Sequence, residues 1–343
     1  MLKVALIGLG GMGRGHLANY QRLMAEGYPV QLVAVCDIDE AKFRKNDIAI
    51  NIETGGEGLE LGDVKLYTDY KQMISELDLD YVDTPLPTYE HAKAAIYALE
   101  HGLHVLCEKP MALTVEQCKE MIAARDRSGK TLMIAQCLRF WPAYETLKAY
   151  VDEKTYGEVT SAYFFRGGST PMWSYNNWLQ KKELSGGVLL DQHVHDVDTI
   201  NWLFGMPDSV CCLAKNVIPG SGYDAVSTQY FYPDGKVVNA QDDWTINGDF
   251  GFEMIFRVNF ERGCLVLSRQ GLTVYPVGAP AFVPDLPADD GYYREIRYFL
   301  NCLEKGLSPD RCTPESTMDT IRIASAEQRS ADTGSSRVNP AAL

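Results

Sequence analysis

The chain has 343 residues, 46% hydrophobic and 23% charged, which are ordinary globular values for a length at which one core divides into two. Its formal net charge of −14 argues against a polyanionic partner, because nucleic-acid binding needs Lys and Arg to neutralise phosphates; a small molecule is the expected ligand. The nine cysteines are odd in number and form no C-x-x-C pair, which fits reduced, buried thiols in the cytoplasm.

The chain enters a β-branched apolar run directly after Met1, leaving no room for a leader, and no later run reaches the ~18 apolar residues of a spanning helix. A cytoplasmic protein with no membrane contact is the expectation. Alternation then governs residues 1–137. The strand patterns are LKVALIGLG (2–10), QLVAVCD (31–37), VKLYTD (64–69), YVDTP (81–85), LHVLCEKP (103–110) and TLMIAQC (131–137). Helical patterns fall between them: Met12 to about Glu26, from Asp39, from Tyr70, about Tyr89 to His101, and Thr114 to Arg127. Apolar strands alternating with amphipathic helices specify a parallel, doubly wound α/β sheet covered on both faces, the architecture of a nucleotide-binding Rossmann domain.

Gly8-Leu9-Gly10-Gly11-Met12-Gly13 supplies G-x-G-x-x-G spacing where the first strand gives way to the first helix. Gly8 would make the tight turn, Gly10 would let the backbone approach a pyrophosphate, and Gly13 would let helix and strand pack closely. Gly11 and Met12 open the helix, whose free N–H groups suit phosphate. Asp37, at the end of the second strand, would accept hydrogen bonds from the ribose hydroxyls and repel a 2′-phosphate. Ile38 follows where an NADP enzyme would more often carry a basic or small polar residue, so NAD is the expected cofactor; Lys42 and Arg44 keep NADP as the alternative. Lys109, in Cys107-Glu108-Lys109-Pro110 at the end of the fifth strand, would reach the ligand crevice and stabilise negative charge on a substrate oxygen. By itself the tetrapeptide reads equally well as a surface lysine before a helix-starting proline.

Beyond residue 138 the pattern changes. QCLRFWPAYETLKAYV leads into a helix, and VTSAYFFRGGS (159–169) is an alternating strand ending near Arg166. Trp173, Tyr175 and Trp178 follow, as suitable for a sugar face as for a core. GGVLLDQHVHDVD (186–198) then sets two histidines and three aspartates behind a glycine pair. On one continuous helix Asp191 and His195, four apart, share a face. His195 has the intrinsic pKa of a base that takes a hydroxyl proton, with Asp191 to orient it or bind a neighbouring hydroxyl. A metal site is the rival, but His193 and His195 at i, i+2 do not face each other and no second His or Cys cluster completes a shell, so no metal is expected. Strand patterns follow at SVCCLAKNV, AVSTQYFY, KVVNAQDDWTI, GFEMIFRVNF and CLVLSRQGLTVYPV, with hairpin turns at 233–235 and 261–263. A loop from Pro276 to Pro287, helices near Tyr292 to Lys305 and Pro314 to Ala331, and a frayed polar tail from Asp332 complete the reading.

GLGGMGRGH, Thr84-Pro85 followed by His91, ALEHGLHVLCEKPMALTVEQ and SGGVLLDQHVHDVDTINWL together resemble the glucose-fructose oxidoreductase, inositol dehydrogenase and MocA-like family, in family order across residues 1 to about 205. The resemblance implies a Rossmann domain at 1–137 and a second α/β domain at 138–343. The second domain would carry an open, mostly antiparallel sheet, with the C-terminal helix able to pack back on the first. It also implies a nicotinamide cofactor, a sugar or polyol substrate, and a homodimer or homotetramer. By motif position Lys109, Asp191 and His195 are the catalytic set; Thr84, Pro85, His91 and Glu108 fall near the cofactor; Arg139, Arg166 and Trp178 fall near the substrate. Two departures stand out: Asp83, where a small or apolar residue is expected, and Val188 with His193, where the family often has glycine. His193 reads first as a helix-surface histidine and second as a substrate contact. The implied activity is an NAD-dependent dehydrogenase, with an NAD-dependent glycosidase acting by transient oxidation and a non-catalytic sensor as alternatives.

Overall fold

The computed structural model describes residues 1–44 and 61–343. They divide into two units, Met1–Cys137 with Gly291–Met318, and Leu138–Asp290 with Asp319–Leu343.

In the first unit, β1 (Leu2–Ile7), β2 (Val30–Cys36), β3 (Lys65–Tyr67), β4 (Tyr81–Thr84), β5 (His104–Glu108) and β6 (Leu132–Ala135) lie in the order β3-β2-β1-β4-β5-β6. Every neighbouring pair is parallel. The order reverses between β1 and β4, the switch point at which such sheets bind ligands beyond their strand ends. Val4 to Ile7 are all buried, as a strand covered on both faces requires. Helices α1 (Gly11–Ala25), α2 (Tyr70–Glu76), α3 (Thr88–Glu100) and α4 (Val115–Ser128) fill the connections. The bounds of α4 follow from its ends: the Thr114 hydroxyl accepts from Gln117 N–H at 3.2 Å, and Gly129 takes φ +65° at the other end. Of the helix expected from Asp39, a 3-10 turn at Glu40–Phe43 is seen; its continuation falls on 45–60, outside the described residues.

In the second unit, α5 (Pro142–Asp152), β7 (Val159–Gly167), α6 (Lys182–Ser185), α7 (Val188–Asp191) and α8 (Val194–Phe204) precede β8 (Ser209–Lys215), β9 (Ala225–Phe231), β10 (Val237–Asp243), β11 (Glu253–Phe260), β12 (Gly263–Ser268) and β13 (Gly271–Pro276). The sheet order is β13-β12-β11-β7-β10-β9-β8, antiparallel except for β7 beside β10. Both expected hairpin turns are present. CLVLSRQGLTVYPV, one continuous run in the sequence, is two strands: the chain reverses at Arg269-Gln270 and enters β13 at Gly271 with φ +100°, which glycine takes without strain.

Two long helices follow, α9 (Gly291–Lys305) and α10 (Pro314–Asp332). Within the first unit α9 lies on α1, where the Arg22 guanidinium sits 3.8 Å over the Tyr293 ring, and Phe299 meets Tyr81 edge-on at 5.5 Å. The tail is tied down rather than frayed. Val338 exchanges backbone hydrogen bonds of 2.9 and 3.0 Å with Val210 of β8, and Arg337 lies 3.7 Å over the Phe231 ring. An edge strand with open N–H and C=O groups captures it. The cysteines are free thiols, all buried except the half-buried Cys211 and Cys264. Among the described residues no helix is long and apolar enough to cross a membrane.

Candidate active site

The glycine loop of the first unit is built by exclusion. Gly8 has φ +108°, and a Cβ there would lie 2.6 Å from the Pro85 carbonyl oxygen; a Cβ on Gly13 would lie 2.0 Å from the Gly8 oxygen. Gly10 differs, since a Cβ there meets nothing within 4 Å. The space beside it is open, and the N–H groups of Gly11, Met12 and Gly13 stand at the start of α1 next to it. Asp37, just past β2, is buried; its Oδ2 accepts from Leu9 N–H at 2.8 Å and Lys42 Nζ at 2.9 Å, and its Oδ1 from Asp39 N–H at 3.0 Å. A carboxylate offers about four acceptor positions and three are taken, so about one remains for a ribose hydroxyl. Loop, helix end and carboxylate fit a dinucleotide.

Thr84 faces inward, its hydroxyl donating to the Leu106 carbonyl at 3.3 Å. His91 is buried with Nδ1 2.7 Å from the Pro110 oxygen and Nε2 2.8 Å from the Leu86 oxygen, so it ties the loop after β4 to the turn after β5. Burial pulls its pKa below the usual histidine value against the two carbonyls. Lys109, in that turn, is half-buried, and its N–H donates to Glu108 Oε2 at 2.9 Å.

Asp83, out of place in the family pattern, has a partner that the sequence did not reveal. His16, wholly buried on α1, lies with Nδ1 2.8 Å from Asp83 Oδ2 and Nε2 3.2 Å from Glu108 Oε1, and Tyr20 donates to the same Asp83 oxygen at 2.9 Å. Burial lowers the His16 pKa, but Asp83 and then Glu108 outweigh it and hold the imidazole protonated well above its usual range. Burial raises Glu108, and the His16 hydrogen bond and charge bring it below its ordinary value. Glu295 of α9 brings a carboxylate oxygen within 4.8 Å of the His16 and Glu108 atoms. The available signal was His16 inside GLGGMGRGH together with an unexplained aspartate.

In the second unit Gly186 and Gly187 take φ +77° and +69°, and a Cβ on Gly187 would lie 2.7 Å from the Ser221 oxygen. The stretch beyond them is not one helix. Helix α7 ends at Asp191 and α8 begins at Val194, so Asp191 and His195 occupy two segments and the one-helix spacing does not relate them. Asp191, Gln192 and His195 are half-exposed while His193, Asp196 and Asp198 are buried. His193 is therefore not on a helix surface.

Arg139 and Arg166, expected near a substrate, are buried in ion pairs. Arg139 reaches Asp198 through two hydrogen bonds of 2.8 and 2.7 Å, and Thr320 donates to the same carboxylate at 2.8 Å. Arg166 reaches Asp196 through two of 3.2 Å. Burial opposes the Arg166 charge, but Asp196 outweighs it and raises its pKa. The two aspartates follow His195 at one and three residues on the same helix, so both guanidiniums hold the helix that carries it. Trp178 is half-buried in the turn Tyr175–Gln180.

Comparison with known proteins agrees with this architecture. The model described as an oxidoreductase family with an NAD-binding Rossmann fold matches residues 2–136, and that of the GFO/IDH/MocA C-terminal domain matches 144–266. A levoglucosan dehydrogenase of Pseudarthrobacter phenanthrenivorans is 31% identical over 239 residues, 66% of this chain and 58% of that protein. A 2,7-anhydro-N-acetylneuraminate hydratase of Mediterraneibacter gnavus is 28% identical over 214 residues, 62% of this chain and 52% of that protein. The matches thus span little more than half the length of these two relatives. The solved structure of a levoglucosan dehydrogenase with NADH and levoglucosan superposes with a TM-score of 0.82 at 22% identity, covering 98% of this chain and 99% of that one, a likeness of fold.

Proposed function

This chain belongs to the GFO/IDH/MocA oxidoreductase family, and from that premise we propose an NAD-dependent oxidoreductase acting on a secondary hydroxyl of a sugar, glycoside or cyclitol. The observation that carries the reading is His195: a half-buried imidazole on a helix whose buried face is held by two bidentate Arg–Asp pairs. A base for alcohol oxidation needs that combination of access and fixed orientation.

When bound, NAD supplies the acceptor for the two electrons and the hydrogen leaving the substrate carbon. His195 takes the hydroxyl proton as the C–H bond breaks, giving a ketone, a reduced nicotinamide and one proton. Lys109 donates to the substrate oxygen and stabilises its developing charge. Asp191 orients the imidazole or holds a neighbouring hydroxyl. The family resemblance assigns Lys109 and His195 to one reaction; each lies in its own unit. Asp37, with Ile38 after it, favours NAD over NADP.

Purified protein mixed with NAD and a panel of cyclitols, aldoses and glycosides should produce net NADH, and His195→Ala should not. The likeness to a hydratase favours a second outcome, in which the same residues oxidise transiently, eliminate a leaving group and return the hydride. Retained cofactor with aryl-glycoside cleavage and no net NADH would select it. Cofactor binding with no turnover of either kind would leave a sensor. A homodimer or homotetramer through the outer face of the second sheet completes the proposal. Leu213, Val237 and Tyr275 are 65%, 52% and 48% exposed on that face, and a monomer by light scattering would overturn the assignment.

A further inference from the structure

We infer that His193 is a positioning residue, whose buried side chain sets the angle between the two short helices that carry Asp191 and His195. The inference rests on the catalytic reading of those two residues.

The backbone of His193 is the pivot. Its N–H donates to the Val188 oxygen at 2.8 Å, five residues back, closing α7 with a wide turn. Its own carbonyl accepts from Asp196 and Val197 N–H, both at 3.0 Å, and opens α8. Helix kinks of this kind need a local cause. Here the cause is the side chain, drawn into a buried cluster within the second unit. Nδ1 lies 3.7 Å from Asp242 Oδ2 on β10; Nε2 lies 3.5 Å from Glu327 Oε2 on α10 and 3.4 Å from the Tyr230 hydroxyl on β9. Gln192, the other residue of the kink, donates to Asp242 Oδ1 at 2.6 Å. Both linking residues are thus anchored to the same strand.

The cluster is charged. Burial lowers the His193 pKa, but Glu327 and Asp242 outweigh it and hold it at about 10; burial raises Asp242 to about 6 against the pull of His193. Between those values the imidazolium faces the Asp242 carboxylate, with the Glu327 side chain on its other nitrogen and no solvent contact at any of the three. Arg166 with Asp196 lies beyond Asp242, and Cys212 of β8 lies beyond Glu327. At 3.4 to 3.7 Å these contacts are longer than hydrogen-bond length, so they fix position by charge more than by direct bonds. Removing the positive member leaves two buried acidic side chains without the imidazole between them, and the displacement passes along α8 to His195.

The test compares full-length protein with NAD present as wild type, His193→Gln, Glu327→Gln and the double variant. His193→Gln should lower kcat by about 10- to 100-fold, because displacements near 1 Å misalign a base, while NAD affinity and KM for NAD stay at wild-type values. The double variant removes one of those acidic side chains and should recover part of the loss. It also serves if His193→Gln alone does not fold. The imidazole of His195, followed by NMR through a pH titration, should shift its signal and midpoint in His193→Gln. A fall in melting temperature with unchanged kcat would overturn the inference and leave a purely structural cluster. If the wild type turns over no member of the panel, the functional reading fails by itself. The NMR comparison still decides: an unmoved His195 in folded His193→Gln overturns the positioning role, and a moved one sustains it.

Discussion

The two units prepare their candidate residues by different means. In the first, the candidate features are backbone: a glycine loop, a helix end and a strand end, with the His16, Asp83 and Glu108 network closed by contacts of 2.8 and 3.2 Å. In the second, they are side chains on two short helices, aimed by buried ion pairs and by a looser histidine cluster at 3.4 to 3.7 Å. A backbone cradle is set by local sterics and tolerates few changes of shape. A side-chain site aimed by distant charges is set by pairing, and answers to charge removal and to pH.

Four changes would break or sharpen that contrast. The largest effect belongs to His195→Ala, expected to lower kcat by about 10²- to 10⁴-fold with little change in melting temperature, since it removes the half-buried side chain proposed as the proton acceptor. Asp196→Asn comes next. It leaves the Arg166 charge buried without its carboxylate and should cost about 3–5 kcal/mol in urea unfolding; a loss below ~1 kcal/mol would show that α8 is held by packing instead.

The pH response is smaller and takes both signs, alkaline from the two buried histidines and acid from Glu108. His193 has a folded pKa of about 10, above the ordinary 6.5, so its stabilisation is complete below about pH 6.5 and is lost as pH rises through about 10. Glu108 is held below its ordinary 4.5, so its stabilisation is present above that value and is lost as pH falls through its folded pKa. His16, raised like His193, shares the alkaline sign. Denaturation midpoints should therefore fall on the alkaline side, and less steeply in His193→Gln than in the wild type. Equal slopes would mean that His193 titrates alike in the folded and unfolded chain. The smallest effect is Gly10→Ala. The added methyl meets nothing in the protein, so the melting temperature should hold while NAD binding weakens by about tenfold or more. Unchanged NAD affinity would remove the cofactor role assigned to that glycine.

What was legible in the sequence follows the same division. The parallel sheet, the glycine loop and the hairpin turns are short-range patterns, and each appears where the alternation placed it. The reversal at Arg269-Gln270 hid inside one apolar run, with Gly271 as its lone marker. The second unit depends on pairs far apart in the chain. Arg139 finds Asp198 59 residues on, and Arg166 finds Asp196 30 residues on, so isolated arginines beside aromatics read as substrate contacts. Asp83 looked misplaced because His16 lies 67 residues away. The break between α7 and α8 could not be read from spacing, since Asp242 and Glu327, which hold His193, come from a strand and a helix much later in the chain.

The most direct test of the account is kcat/KM for the best polyol of the panel, followed by reduced-nicotinamide absorbance from about pH 5 to about pH 10 in the wild type and His195→Ala. The account predicts a wild-type acid limb from protonation of the base, and a variant slower by about 10²- to 10⁴-fold in which that limb is gone. A variant within a factor of about two of the wild type, with its limb intact, would place the base elsewhere and contradict the account.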